Sequence, residues 1–171
     1  MNAIAIPTSQ PYRLFNTPLE CGLRLLFLLN ACYPKRADLQ RLISYDYLMV
    51  HSGDVGEGPA SLHPAVPFRG SERFVKRDLV RNGLDLMFAR ELLDKRLDKD
   101  GIYYAGSKLT EAFIKLLVSR YASDLKLRAS WVAERFGSVT DVELREFMTA
   151  NAGRWGVEFY RMTALRDLEL D

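Results

Sequence analysis

Apolar residues recur at spacings of three and four along most of this chain, which is typical of helices. Residues 18–33 are apolar on nearly every side, and this predicts a central helix that its neighbours bury. A second helix is predicted to begin after Asp38, a good N-cap, and to continue through Val50. A third is predicted over 71–93, with Ser71 as its cap. The first half of the chain is therefore expected to be a group of packed helices.

The helical spacing of apolar residues ends after the third helix, and a β-hairpin is expected there. The run Lys99-Asp100-Gly101 predicts the turn, because Asp-Gly supplies the positive φ angles that tight hairpin turns need. Short strands are predicted on either side of it, at 93–98 and 102–105.

Two more helices are predicted after the hairpin. The first is long, from its cap Ser107 to about Phe136, and Gly137 ends it. The second is short and opens with a capping box formed by Thr140 and Glu143.

The order helix, helix, helix, hairpin, helix is that of a winged helix, in which the third helix is the usual recognition element and the hairpin is the wing. We therefore expect a mostly α (α+β) fold. It comprises an N-terminal arm (1–17), a winged-helix-like domain (18–136) and a C-terminal helical extension (137–171). A long loop, 51–70, is inserted between the second and third helices.

This loop and the helix before it hold both histidines, with carboxylates close by. Asp46, His51, Asp54 and His63 include the ligand types that bind a divalent ion, and a small metal-dependent hydrolase is one hypothesis. No HExxH or similar close pair presents the histidines together, however. The favoured interpretation is that the four residues structure the loop, with each imidazole bonded to loop backbone, and that no metal is bound.

A row of basic residues crosses the start of the third helix. Arg69, Arg73, Arg77 and Arg81 are four residues apart, and Lys76 lies beside them. On a recognition helix such a row would contact phosphates or an acidic partner. The alternative interpretation is an ordinary solvated helix face.

Composition limits the function classes. A net charge of +2 gives the chain no strong overall field for nucleic acid. Cys21 and Cys32 are too far apart on one helix for a disulfide and are read as buried thiols in a reducing compartment. No nucleophile elbow, phosphate-binding loop or signal peptide is recognisable. We expect a cytoplasmic protein with no catalytic residues, no cofactor and no membrane contact.

Several strings resemble the middle component of bacterial ABC-three-component systems, which are defence systems that overlap with Lamassu. They are FNTPLECGLRLLFLLNACYP (15–34), LQRLISYDYLMVHSGD (39–54), GPASLHPAVPFR (58–69) and LVRNGLDLMFARELLD (79–94). The resemblance implies a non-enzymatic, winged-helix-like subunit that works with an SMC- or Rad50-like ABC ATPase and an effector such as a nuclease. It further implies contact with double-stranded DNA through the complex, and it assigns no binding residues.

Three hypotheses follow. The first is an accessory subunit that bridges the ATPase, the effector and DNA. The second is a free-standing winged-helix regulator, which would need homodimerisation and sequence-specific DNA binding. The third is the metal-dependent hydrolase, with His51, Asp54 and His63 as ligands.

Overall fold

The computed structural model describes residues 17–63 and 73–155. The predicted arm except Thr17, the cap Ser71, Arg69 and the tail after Trp155 lie outside these ranges. The elements in them are α1 (Pro18–Cys32), β1 (Ala37–Asp38), α2 (Leu39–Val50), a short 3-10 helix (Ser52–Val55), α3 (Arg73–Phe88), β2 (Leu93–Asp98), β3 (Gly101–Gly106), α4 (Lys108–Ile114), α5 (Arg120–Phe136) and α6 (Asp141–Trp155).

The central position of α1 is confirmed. The Thr17 hydroxyl accepts a hydrogen bond from the Glu20 N–H, and Pro18 occupies the first turn, where its missing donor costs nothing. The leucines at positions 25, 26, 28 and 29 are all buried. α1 crosses α3 closely at Gly22, where a Cβ would lie 2.8 Å from the Gly83 carbonyl oxygen. α1 and α3 can therefore approach each other this closely only because Gly22 and Gly83 lack side chains.

The hairpin is also confirmed, and a third strand joins it. β2 and β3 pair antiparallel, with Leu97 opposite Ile102 and Gly101 at a φ of 135°. β1, which the sequence analysis missed, pairs antiparallel with the other edge of β3, so the strand order is β1-β3-β2. The result is a mostly helical α+β fold with a small antiparallel sheet.

The predicted end of the third helix was wrong. α3 ends at Phe88, and the Leu92 N–H turns back to the Met87 carbonyl while Glu91 takes a φ of 59°. This is a left-handed helix ending, which Gly usually supplies. Because a glutamate fills the position, the sequence carries no visible stop signal.

The single long helix over 107–136 was wrong as well. Ser107 caps α4 as expected, but the chain leaves the helix at Lys115 and restarts at Ser119, whose hydroxyl accepts from the Ala122 N–H. Ser119 therefore acts as a second N-cap inside an apolar pattern that reads as continuous. The capping box of Thr140 and Glu143 is confirmed at the start of α6.

The core lies between α1, α2, α3 and α5, and α6 adds to it. Leu144 and Met148 of α6 belong to the same buried cluster as the leucines of α1. The 3-10 helix and the residues around it run across α5 and α6. We call residues 51–63 the strap.

Candidate functional site

A buried ion pair links α1 to α2 beneath the strap. Arg24 Nε lies 2.7 Å from Asp46 Oδ1, and Arg24 Nη2 lies 3.0 Å from Oδ2, with the two side chains 2% and 1% exposed. Arg24 also contacts Glu20, one turn earlier. Burial opposes ionisation of Asp46, but the charge and hydrogen bonds of Arg24 prevail and hold its pKa below the ordinary value. Asp46 thus joins two helices and does not itself lie in the loop.

The network continues outward to His63. The Tyr121 hydroxyl donates to Glu20 Oε1 at 2.9 Å, and His63 Nε2 lies 3.0 Å from the same hydroxyl oxygen. Because the phenol hydrogen points to Glu20, His63 Nε2–H is the donor to Tyr121. Burial, helped by the nearby charge of Arg24, lowers the pKa of His63 to about 4. The imidazole is therefore neutral at pH 7, and its partner is a side chain of α5.

The fold brings the two histidines together. The rings of His51 and His63 lie edge to face with their centroids 6.4 Å apart. The centroids of the Tyr47 and His51 rings are 4.9 Å apart. Burial lowers the pKa of His51 too. Within residues 17–63 and 73–155, no three His, Cys, Asp or Glu side chains are grouped so that they could hold a metal ion. The described residues do not supply the ligand set that the hydrolase hypothesis requires.

Asp54 connects the strap to α2 and α6. Its Oδ2 accepts from the Tyr47 hydroxyl at 3.1 Å, and its carbonyl oxygen accepts from Trp155 Nε1 at 2.9 Å. Tyr47 and Trp155 stack with ring centroids 5.6 Å apart. The carboxylate and the backbone of one strap residue thus hold two aromatic side chains in place.

Arg128 of α5 holds the far side of the strap. Its Nε and Nη2 both donate to the Ala60 carbonyl oxygen, at 2.9 and 2.5 Å. The backbone N–H groups of Leu62 and His63 donate to the Val50 carbonyl oxygen, so the strap folds back onto the end of α2. The Arg128 guanidinium and backbone hydrogen bonds therefore hold much of the strap, a role that was predicted for the imidazoles.

Four residues of this network were not among the predicted site residues: Arg24, Tyr121, Arg128 and Trp155. One signal was available for the two arginines. Each has buried apolar residues on its side of the helix, Leu28 for Arg24 and both Leu125 and Val132 for Arg128, with one carboxylate a turn earlier, Glu20 and Asp124 respectively. A cation at such a position predicts a buried partner, because an unpaired buried charge is too costly to retain. The distant partners, Asp46 for Arg24 and the Ala60 carbonyl for Arg128, are not readable from the sequence.

The basic row divides into residues with different surroundings. Arg69 lies outside the described residues, and Arg73 is the first residue of α3. Lys76 is half-buried, with its Nζ 5.2 Å from the centroid of the Tyr47 ring. Arg77 and Arg81 are exposed, and Arg81 Nη2 lies 2.5 Å from the Asp78 carboxylate. Lys76 therefore faces α2, while Arg77 and Arg81 face solvent, so their contact with DNA or an acidic partner stays a prediction.

A cleft of about 660 Å³ opens on another side, between the ends of α1 and α5 and the starts of α2 and α6. Arg41 lies in its wall, with Nε 2.6 Å from Asp141 Oδ1, Nη2 donating to the Val139 carbonyl and Nη1 to the Tyr45 hydroxyl. Lys35 donates to the Gly137 carbonyl oxygen at 2.8 Å. Arg41 thus ties α2 to the start of α6, and Lys35 ties the segment after α1 to the end of α5, which explains their positions without a ligand.

The charged side chains beneath the strap are paired with one another. The Asp46 carboxylate is ion-paired, and Glu20 contacts both Arg24 and Tyr121. Burial raises the pKa of the Cys21 thiol, which therefore stays protonated. Together with the contacts of Asp54, His63 and Ala60, the arrangement ties the strap to α1, α2, α5 and α6.

A family model described as ABC-three component (ABC-3C) system Middle Component 2 matches residues 14–158. The match covers most of the chain, from just before α1 to just after α6, and it includes the strap. No curated protein and no solved structure matches. Among the described residues, no helix is both long enough and apolar enough to cross a membrane.

Proposed function

The chain belongs to the family of middle component 2 of ABC-three component systems, and from this premise we propose that it is a non-catalytic accessory subunit of a bacterial Lamassu-like defence complex. In this proposal it bridges an SMC- or Rad50-like ABC ATPase and an effector subunit in the cytoplasm. Family membership is the observation that carries the proposal. A middle component of a multi-component system acts through protein partners.

The topology supports a winged-helix identity for the domain. The elements occur in the order α1, β1, α2, α3, β2, β3, and the strand between the first two helices pairs with β3, the second strand of the hairpin and the central strand of the sheet. This is the arrangement of a winged helix with the strap inserted between α2 and α3. A fold of this kind supports many functions, so the topology adds to the family assignment and does not replace it.

Contact with DNA through the complex is the second part of the proposal. α3 occupies the recognition-helix position and exposes Arg77 and Arg81, but Asp78 and Asp85 are exposed on the same helix. Such a mixed face suits weak contact with phosphates better than tight binding by the chain alone. The same topology favours one alternative, a free-standing DNA-binding regulator, which we place second because of this mixed charge.

The test is reconstitution of the system. The full-length tagged chain is co-expressed with the ABC ATPase and effector components, and the assembly is separated by size-exclusion chromatography. We expect the chain to elute with the ATPase, and the complex to bind duplex DNA more tightly than the chain does. Arg77→Glu with Arg81→Glu should weaken DNA binding by the complex and leave the assembly intact.

Two results would contradict the proposal. Elution of the chain apart from the ATPase, at concentrations well above micromolar, would remove the bridging role. A homodimer that binds one DNA sequence selectively, with a steep dependence on salt, would favour the regulator.

A further inference from the structure

α4 exposes an apolar stripe on its outer side. Leu109, Ala112 and Leu116 follow one another at spacings of three and four, which places them on one face of the helix and the turn that follows it. All three are exposed; Leu109 is 48% and Leu116 75% exposed, and Val118, in the segment between α4 and α5, is 87% exposed. We call these four residues the α4 surface.

The apolar stripe lies on the opposite side of α4 from the residues that contact the core. Thr110 and Ile114 are the buried residues of this helix, and the Thr110 hydroxyl donates to the Leu92 carbonyl oxygen at 2.6 Å. The helix is thus already anchored by its inner side. Leu116, which is 75% exposed, gains little from burial within the chain itself.

Basic side chains surround the α4 surface. Lys108, Arg120 and Lys126 are exposed and make no hydrogen bond or close ion pair within the part of the chain that the structure describes; Lys115 pairs with Glu111 at 2.8 Å, and the charge of Lys126 also acts on Glu111. The remaining carboxylate, Asp124, lies beside Arg128, which is held at the strap. The rim is therefore positive, and a partner with acidic side chains around an apolar centre would complement it.

We propose that the α4 surface is the docking site for a helix of the ABC ATPase component, one whose apolar stripe is flanked by Asp and Glu side chains. Leucines at helical spacing pack against a matching stripe on a second helix, and the lysines at the rim pair with the flanking carboxylates. This inference rests on the proposed function, because it assigns a surface to the subunit contact which that function requires.

The experiment measures affinity between the purified ATPase component and the full-length chain. Leu116→Asp combined with Val118→Asp places two charges at the centre of the surface, and we expect affinity to fall at least about tenfold, as for residues at the centre of an interface. Val142→Asp is the matched control: Val142 is 57% exposed in the first turn of α6, where an acidic residue is favoured. It should leave affinity unchanged.

A second pair of variants tests the charge argument. Lys108→Glu with Lys126→Glu should weaken the same affinity, and the loss should shrink as salt is raised. Lys99→Glu, at the exposed hairpin turn, is the control and should have no effect. Thermal unfolding of every variant should match the wild type, because each substituted side chain lies at the surface.

The outcomes separate this inference from the proposed function. If the wild-type chain does not bind the ATPase, both fail. If the wild type binds and the Leu116/Val118 variant binds equally well, only the docking site is wrong. Loss of self-association in that variant, with ATPase binding intact, would assign the surface to a second copy of the chain. Loss of binding to anionic lipid vesicles, with ATPase binding intact, would assign it to a membrane.

Discussion

Removal of Arg24 should destabilise the protein more than any surface substitution. In Arg24→Met the carboxylate of Asp46 keeps its burial but loses the bidentate partner that lies 2.7 and 3.0 Å away. Breaking a buried ion pair on one side costs about 3–5 kcal/mol, because an uncompensated charge remains. Asp46→Asn should cost less, about 1–3 kcal/mol, since Arg24 still contacts Glu20 and the amide can accept one hydrogen bond.

The pair is also expected to be coupled. Arg24→Met with Asp46→Leu removes both charges, so the double variant should be less destabilised than the sum of its two single variants, Arg24→Met and Asp46→Leu. The pH dependence has a definite sign. Because the pKa of Asp46 is lowered in the folded state, its contribution is complete above about pH 3.9 and is lost as the pH falls through the lowered pKa.

Urea unfolding followed by circular dichroism measures these free energies. With an m-value of about 2 kcal/mol per molar, Arg24→Met should lower the midpoint by about 2 M. The reasoning would be refuted if Arg24→Met lost less than about 1 kcal/mol, the range of exposed pairs. It would also be refuted if the double variant lost as much as the two single variants together.

Two further predictions concern the strap. Since the pKa of His63 is about 4 in the folded protein and about 6.5 unfolded, unfolding takes up a proton between these values. The free energy of unfolding should therefore not depend on His63 above pH 6.5 and should fall by up to about 3 kcal/mol toward pH 4. In urea titrations, His63→Gln, which can still donate to Tyr121, should reduce this dependence of the free energy of unfolding on pH. Arg128→Ala removes both donors to the Ala60 carbonyl, and strap amides should exchange with deuterium roughly ten- to a hundredfold faster.

Controls for these two predictions are available in the same chain. Arg135→Ala breaks an exposed pair with Glu57 and should leave strap exchange nearly unchanged. Equal exchange in the Arg128 and Arg135 variants would show that Arg128 does not hold the strap. An unchanged pH slope in His63→Gln would show that another group, such as His51, takes up the proton.

Local signals in the sequence identified most of the elements. Asp38, Ser107 and Thr140 were recognised as helix caps because their side-chain oxygens satisfy the first free N–H groups, and the structure shows each of those hydrogen bonds. The hairpin followed from Asp-Gly for a similar reason. Two helix boundaries were predicted wrongly. The third helix ends at a left-handed glutamate, Glu91, where glycine is usual, and the cap Ser119 lies inside an apolar run.

Side-chain pairings over long sequence separations were not predictable in this way. Asp46 was predicted to structure the loop, yet its partner Arg24 lies on another helix. Lys76 was placed with the basic row, yet its ammonium lies over Tyr47. Both outcomes depend on the rotation of one helix against another, and a single sequence contains no measure of that rotation.

By itself, then, the sequence determined the helical class of the chain, the position of the hairpin, the caps and, through strings around the strap, the family. These properties depend on neighbouring residues, whose interactions are set by backbone geometry. Only the tertiary structure decided that the strap is held by Arg128, Tyr121 and Trp155, that the histidines meet as neutral rings, and that α4 presents leucines to solvent. Those properties depend on which helix faces meet, and burial against a partner face determines both the charge of a side chain and its exposure.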